Sequence, residues 1–351
     1  MRFVHQTLPQ RVVFASGDSP AAVAREIEAL GRSKVLLIAS DREEAQAAPI
    51  LAQIPVVLRH DEVVMHVPAG VAARAREAAA ACGADIVVTV GGGSTTGLGK
   101  AVALTTCLPV IAVPTTYAGS EATNVWGLTE GETKTTGVDD RVLPASVVYD
   151  AGLLTTLPGE MTVASGLNAL AHCIDAMWGP RADPIDRVLA QEGIVGLAAG
   201  LTLVKADPSS LEGIEQTLYG AYLAAVSFAG AGSGMHHKIC HVLGGMFNLP
   251  HAETHAVVLP HVLAYNAPSA PEAERRIAQG LGSATAREGL RALRARLDAP
   301  RALRDYGMPA DGIAKAIGPI MAAIPGNNPR TVTEDNLTAL LQAAWAGEEP
   351  S

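Results

Sequence analysis

Short runs of β-branched and other apolar residues alternate with alanine-rich segments from Arg11 to about Asp150. The apolar runs have the length of buried strands, and the alanine-rich segments between them are long enough for crossover helices. This alternation predicts a parallel sheet covered by helices. The predicted strands are Lys34–Ala39, Pro55–Leu58, Asp85–Val90, Val110–Val113 and Ser146–Tyr149. Ser19-Pro20 is typical of a helix start, and Gly31 and Gly83 are typical of helix ends.

The strand pattern stops after Pro158-Gly159, and helical periodicity broken by Gly and Pro takes over. The sequence therefore predicts an α/β domain over residues 1–156 and an all-α domain over residues 157–351, with a ligand cleft between them. The predicted helices of the second half are Glu160–Trp178, Pro184–Lys205, Leu211–Phe228, Met235–Met246, Ala252–Tyr265 and several segments beyond Glu272.

Composition removes several classes of protein. Hydrophobic residues make up 48% of the chain and charged residues 17%, which excludes a disordered chain. The net charge of −9 and the lack of a Lys/Arg run argue against binding to nucleic acid. No run approaches the length of a membrane span, since Gly196 and Gly200 interrupt the best one, and the start lacks the order of a signal peptide. The four cysteines form no C-x-x-C pair, which predicts reduced, buried thiols and a cytoplasmic location.

A glycine loop follows the predicted strand Asp85–Val90. Gly91, Gly92 and Gly93 lead into Ser94 and an apolar helix. Glycines allow the backbone to approach a phosphate, and the free N–H groups of a helix start bind anions. The loop therefore predicts a pyrophosphate site, and a tight strand-to-helix turn is the alternative. It matches neither the G-x-G-x-x-G fingerprint nor a Walker A loop.

Two other predicted strand ends carry polar residues. Pro114 to Glu121 follows one strand and brings the hydroxyls of Thr115, Thr116, Tyr117 and Ser120 to the carboxyl edge of the sheet, where ligands of such sheets bind. A turn with capping hydroxyls is the alternative.

Ser40 and Asp41 follow another strand, and the acidic group is suited to the ribose of NAD. Arg42 is suited to the 2′-phosphate of NADP, so the sequence leaves the choice open.

Histidines concentrate in the second half: six of the ten lie between residues 236 and 261. His237 and His241 share a helix face, as do Asn168 and His172, because each pair is four residues apart. Convergent helical pairs of this kind build metal and catalytic sites in helical domains. Asn168 is a weak ligand where a metal site would have a carboxylate. The remaining histidines of interest are predicted to be core residues: His60, His66, His255 and His261.

Taken together, these motifs resemble the iron-containing (group III) alcohol dehydrogenase family. The resemblance rests on Gly91–Ser94, Pro114–Thr116, Gly166–His172, the His237/His241 helix and Pro250-His251 with Leu259-Pro260-His261. It implies a dinucleotide-binding α/β domain, an all-α domain and a homodimer. Metal-dependent members bind their ion through one Asp and three His, and the matching positions here are Asn168, His172, His237 and His251.

The missing Asp, the short threonine loop and the His236-His237-Lys238 run resemble a branch of the family that needs no metal. That branch reduces the carbon–carbon double bond of a 4-oxo-2-enedioate, a small dicarboxylate, with NADH or NADPH. The resemblance therefore implies that no metal is expected here. A protonated imidazole of His241 or His172 is expected to stabilise the enolate, with His237 and His251 in the same pocket. The expected substrate-binding residues are Tyr117, Ser120, Asn168, His236 and Lys238, and Lys134 joins the cofactor-binding set.

Two alternatives share the fold. One is a metal-dependent alcohol or aldehyde dehydrogenase of the same family. The other is a cyclase resembling dehydroquinate synthase, which needs a metal site with a carboxylate and several basic residues for a substrate phosphate. Asn168 and the scarcity of nearby Arg argue against the cyclase.

Overall fold

The computed structural model describes residues 2–131 and 133–350, except for the side chains of Thr133 and Lys134. The described chain separates into two compact units. One runs from Leu8 to Leu157, and the other consists of the chain from Pro158 onward together with residues 2–7. The first contains a parallel sheet with helices and the second is helical, which confirms the predicted fold class.

Six parallel strands form the main sheet in the order β1-β8-β5-β4-β2-β3, and β6 and β7 form an antiparallel hairpin. The strands are β1 Arg11–Phe14, β2 Val35–Ile38, β3 Val56–His60, β4 Ile86–Gly91, β5 Val110–Pro114, β6 Val125–Glu130, β7 Thr133–Val138 and β8 Ser146–Tyr149. All five predicted strands are present. The prediction missed β1, which has four residues, and the hairpin, whose Thr and Gly content gives a weak strand signal.

Both faces of the sheet are buried. Along β2, Val35 and Leu37 belong to one apolar core, whereas Leu36 and Ile38 belong to the other. This alternation follows from the two-residue period of a strand, and it explains the continuous apolar runs in the sequence. The helices of this unit are α1 Ser19–Ala29, α2 Glu44–Leu51, α3 Ala69–Cys82 and α4 Gly93–Thr106.

The direction of the connections reverses between β2 and β4, which are neighbours in the sheet. From β2 the chain continues to β3 on one side, and from β4 it continues to β5 on the other. Ligands of open α/β sheets bind beyond the carboxyl ends of the strands at such a reversal. In this chain those strand ends are Ser40-Asp41 and the glycine loop.

Nine helices make up the second unit among the described residues. They are α5 Gly159–Ala176, α6 Pro184–Ala206, α7 Leu211–Ala231, α8 Met235–Phe247, α9 His251–Asn266, α10 Pro271–Gly280, α11 Ala286–Leu297, α12 Gly312–Ala323 and α13 Glu334–Ala346. Helices α5, α6 and α7 pack against one another. Helices α8, α9, α12 and α13 surround a core that includes Ile239, Leu243, Val258, Ile320 and Leu341.

Helix α6 is long and apolar enough to cross a membrane by length and composition alone. The sequence predicts no such segment when only uninterrupted apolar runs are counted. Core helices of soluble proteins meet the same criterion, and α6 packs closely on α7: an added Cβ at Gly200 would lie 2.5 Å from the Thr217 nitrogen. The helix is therefore weak evidence for a membrane.

The predicted division at residues 1–156 and 157–351 differs from the observed one at the start of the chain. Residues 2–7 lie with the helical unit, where His5 Nδ1 is 2.8 Å from Asp183 Oδ2. Asp183 also caps α6, because its side chain accepts hydrogen bonds from the N–H groups of Ile185 and Asp186. A segment without apolar periodicity gave no signal for this placement.

The carboxyl of Asp186 should make the free energy of unfolding depend on pH. It is buried, and burial together with the charge of Asp183 raises its pKa to about 6. A carboxyl whose pKa is higher in the folded state destabilises that state when ionised. The penalty is full above about pH 6 and disappears as the pH falls towards the unfolded pKa near 4. We expect Asp186→Asn to raise the free energy of unfolding by about 1–2 kcal/mol at pH 8 and to leave it unchanged at pH 4.

Urea unfolding at the two pH values measures this difference. The exposed Glu215 on α7 provides the control Glu215→Gln, which should change little at either pH. An equal gain for Asp186→Asn at both pH values would contradict the assignment of the penalty to the ionised carboxyl.

Candidate active site

The glycine loop joins β4 to α4. Gly91 is the last residue of β4, and Gly92 precedes the first turn of α4 without any side chain capping it. The first N–H groups of α4 are therefore available to an anion. Gly91 has a φ of +154°, and an added Cβ would lie 2.4 Å from Thr95 Oγ1. This close approach requires glycine at position 91.

The threonine loop that follows β5 packs directly on the glycine loop. The N–H of Thr115 donates to the carbonyl of Gly91 at 3.2 Å. A Cβ on Gly92 would lie 3.0 Å from Thr116 Cγ2, so the two loops are in contact. The structure thus brings together the glycine loop, Thr115 and Thr116. It also buries the Tyr117 side chain, which differs from an open substrate-binding position.

Ser40 and Asp41 lie at the end of β2, next to β4. The Ser40 hydroxyl donates to Glu43 and accepts from the N–H of Arg42, so it shapes the turn. Asp41 is exposed, and Arg59 Nη2 lies 3.5 Å from its Oδ1. The Asp41 carboxylate is therefore open to a ribose. The side chain of Lys134, also predicted to bind the cofactor, lies outside the described residues.

Lys100 was not predicted to have a role. It is fully buried in α4, and its Nζ donates to the carbonyls of Ser120 (2.5 Å), Thr123 (2.7 Å) and Val125 (2.8 Å). Burial lowers the pKa of Lys100 to about 7, while the nearby Glu121 carboxyl opposes that shift. The sequence signal for this role was a single lysine inside an otherwise apolar helix. These bonds hold the chain that follows the threonine loop.

Helices α5, α8 and α9 assemble the histidines into one cluster. The ring centroids of His172 and His237 are 4.8 Å apart, those of His237 and His255 4.7 Å, and those of His251 and His255 4.4 Å. His241 and His251 stack at 6.1 Å. His172, His237 and His255 are buried, whereas His241 and His251 are exposed. His255, predicted to be a core residue, is thus a member of the cluster.

Asp175 positions His237. Its Oδ2 accepts from His237 Nδ1 at 2.8 Å and from the N–H of Gly234 at 2.9 Å, at the start of α8. A proton fixed on Nδ1 leaves Nε2 of His237 as the free ligand atom. Asp175 was not predicted from the sequence, although it lies three residues after His172 and so on nearly the same helix face.

The buried imidazoles are neutral. Burial lowers the pKa of His172 to about 3 and that of His236 to about 3, and it lowers the pKa of His237 and His255 well below the ordinary value. This burial argues against the expectation that His172 acts as a protonated donor. His236 cannot serve as a cation for a substrate carboxylate either, because it is fully buried and bonded to His255. Lys238 is half-buried and keeps its place among the candidates.

The donor atoms of this cluster fit a metal ion, since one ligand atom each of His236, His237 and His255 lie within 4.8 Å of one another. Asn168 Oδ1, His172 Nδ1 and His237 Nε2 are buried without a hydrogen-bond partner among the described residues. Unpartnered buried polar atoms are costly unless something binds them, and neutral imidazoles are common ligands of divalent metals. The site suits a divalent ion although position 168 carries no charge.

Several known proteins are similar to this chain over its full length. Maleylacetate reductase from Sphingobium indicum is 44% identical over 352 residues, covering 100% of this chain and 99% of the relative. The crystal structure of maleylacetate reductase from Agrobacterium tumefaciens is 40% identical, with a TM-score of 0.94 and full coverage of both chains. An iron-containing alcohol dehydrogenase from Corynebacterium glutamicum is 59% identical, with a TM-score of 0.98, covering 100% of this chain and 98% of that one.

Two family models also match. The iron-containing alcohol dehydrogenase model covers residues 9–151, and the model of the C-terminal part of that family covers residues 162–345. These matches imply a metal cofactor, so the expectation of no metal was wrong. It relied on the missing Asp at position 168, the short threonine loop and the His236-His237-Lys238 run, whereas the donor set depends on every residue that the helices bring together. The chain belongs to the iron-containing alcohol dehydrogenase family and is an oxidoreductase.

Proposed function

We propose that this chain is a maleylacetate reductase, which reduces the carbon–carbon double bond of maleylacetate to give 3-oxoadipate with a nicotinamide cofactor. The observation that supports this proposal is the histidine cluster of α5, α8 and α9, in a chain similar over its full length to maleylacetate reductases. The reaction needs a hydride donor, a group that withdraws charge from the ketone oxygen and a proton donor.

The cofactor is NADH or NADPH, and the reversal point between β2 and β4 is its proposed site. The pyrophosphate binds at the start of α4, where Gly91 to Ser94 leave N–H groups available. Thr115 and Thr116 add N–H and hydroxyl groups beside that loop. The exposed Asp41 accepts the ribose hydroxyls, and the exposed Arg42 leaves NADPH possible.

The proposed metal ligands are His172, His237 and His251, with Asn168 one helical turn before His172 on α5. A divalent ion held by these residues would supply Lewis-acid stabilisation of the charge on the ketone oxygen. Asp175 fixes the tautomer of His237, so that Nε2 faces the site without a proton. Phe228 packs on the ring of His237 at 4.2 Å between centroids, which limits its movement.

The substrate takes the hydride at the carbon β to its ketone, and the resulting enolate takes a proton at the α carbon. His241 is the proposed donor of that proton, because its imidazole is exposed next to the buried ones and, unlike that of His251, is not a proposed metal ligand. Lys238, half-buried on the same helix, supplies a cation for one carboxylate. Ser120 and Asn168 remain the other proposed substrate-binding residues, whereas Tyr117 is left out because its side chain is buried.

The experiment follows NADH and NADPH oxidation at 340 nm with maleylacetate, before and after removal of metal with a chelator. Turnover of maleylacetate that falls on chelation and returns with added metal supports the proposal. A second candidate is a dehydrogenase of simple alcohols or aldehydes, favoured by the similarity to the Corynebacterium glutamicum protein. Turnover of aldehydes without turnover of maleylacetate would select it.

The proposed location is the cytoplasm and the proposed assembly is a homodimer. All four cysteines are free, which suits a reducing compartment. Cys107 is exposed, contrary to the expectation that all four are buried. The dimer is proposed from the family resemblance, and light scattering after size-exclusion chromatography tests it.

Asn168→Asp should tighten binding of a divalent metal by about tenfold or more, because a carboxylate adds a charge beside neutral imidazoles. Titration of the metal-free protein with Zn²⁺, followed by calorimetry, measures the change. The exposed Asn327 provides the control Asn327→Asp. Equal affinity in the wild type and Asn168→Asp would show that position 168 does not reach the ion.

A further inference from the structure

His255 lies one helical turn after His251 on α9, so both side chains share a face of that helix. It is fully buried, and its ring contacts two of the imidazoles at the metal site. The centroid distances are 4.7 Å to His237 and 4.4 Å to His251. Two histidines four residues apart on one helix are a recurrent way to bind a metal ion.

The two nitrogens of His255 are used differently. Nδ1 lies 2.8 Å from Nε2 of His236, whereas Nε2 is buried without a hydrogen-bond partner among the residues that the structure describes. His237 shows the same pattern, with Nδ1 bonded to Asp175 and Nε2 unpartnered. Histidines that ligate metals through one nitrogen engage the other in such a bond.

We propose that His255 is a metal ligand through Nε2 and takes the place of the carboxylate that position 168 lacks. The ion is then held by imidazoles from His172 on α5, His237 on α8, and His251 and His255 on α9. Neutral imidazoles provide the ligands that a divalent transition metal accepts, without a charged group. Ligation at Nε2 places the proton of His255 on Nδ1, which donates to Nε2 of His236. His236 is then a positioning residue.

The test titrates Co²⁺ alone into the metal-free, full-length protein and follows the visible absorption of the bound ion. We expect His255→Gln to weaken Co²⁺ binding by about a hundredfold, at the upper end of changes seen around metal ligands. His261→Gln is the matched control, since His261 is another buried histidine of α9, and it should bind Co²⁺ as the wild type does. Wild-type affinity in a folded His255→Gln protein would overturn the proposal.

A rescue experiment separates ligation from packing. If positions 168 and 255 reach the same ion, Asn168→Asp should restore Co²⁺ binding when added to His255→Gln. If the folded double variant binds Co²⁺ as weakly as His255→Gln does, His255 does not take the place of the missing carboxylate. Circular dichroism reports whether each variant folds.

Crystals of the wild-type protein loaded with Co²⁺ give an answer that needs no variant. Anomalous scattering should place the ion about 2.1 Å from Nε2 of His255. An ion beyond bonding distance of that atom would overturn the proposal, whether or not the protein reduces maleylacetate.

Discussion

Replacing His241 with Ala should lower kcat for maleylacetate by a hundredfold or more, within the range of about 10²–10⁴ for loss of a general acid. The reason lies in the environments of the imidazoles. Burial lowers the pKa of His172 and His236 to about 3, so neither carries a proton at neutral pH. His241 is exposed, and its ring lies 6.0 Å from that of His237. Of the predicted donors, it is the one in a position to exchange a proton with solvent.

Stopped-flow measurement of NADH oxidation gives kcat, and fluorescence titration gives the Kd for NADH, which should change less than about threefold because His241 acts in the chemical step. His241→Gln is the matched variant, since glutamine donates a hydrogen bond but does not transfer a proton. It should be nearly as slow as His241→Ala. Metal content must be equal in all three proteins. Turnover close to wild type in His241→Ala would remove His241 from the chemistry.

The parts of the site that follow from local sequence were predictable. The glycine loop and the ends of β2 and β5 come directly after buried strands, and parallel strands bring their carboxyl ends to one edge. The hydrogen bond from Thr115 to Gly91 shows the expected proximity. The four-residue spacing of His237 and His241 similarly placed both on one helix.

What sequence could not provide depends on burial. From the sequence alone, every histidine is assigned the same ordinary pKa. The lowered pKa of His172 results from the helices that pack around it and bury its ring. The same limit applies to the metal. Asn168, the short threonine loop and the His236-His237-Lys238 run predicted its absence. His255 was interpreted as a core residue, whereas the fold places its ring against those of His237 and His251. Asp175 was missed because a carboxyl in a helix carries no local signal of the backbone that it caps.

Lys100 is a buried residue whose amine stabilises a loop from inside the core. Its Nζ lies within 3.1 Å of three carbonyl oxygens and the Thr123 hydroxyl, so each of the three donors of an ammonium group has an acceptor. Glu121 is buried nearby and accepts from the Tyr149 hydroxyl at 2.9 Å. Removing the amine leaves these carbonyls without their shared donor, and an uncompensated buried group is strongly destabilising.

Lys100→Met keeps the length and apolar stem of the side chain and removes its donors. We expect it to lower the free energy of unfolding by about 3–5 kcal/mol and to weaken NADH binding, because the threonine loop loses its support. Thermal unfolding and NADH titration measure the two effects. Lys34→Met is the control, since Lys34 is an exposed lysine of the same unit and should change stability by less than about 0.5 kcal/mol.

A double-mutant cycle of Lys100→Met and Glu121→Gln measures how much of the stabilisation by Lys100 depends on Glu121. If Lys100 supports the loop partly through the charge of Glu121, the loss in the double variant should be smaller than the sum of the single losses by about 1 kcal/mol or more. Additive losses would assign the effect of Lys100 to the carbonyls of Ser120, Thr123 and Val125 alone. A Lys100→Met protein as stable as Lys34→Met would show that water replaces the amine, and that the loop does not depend on it.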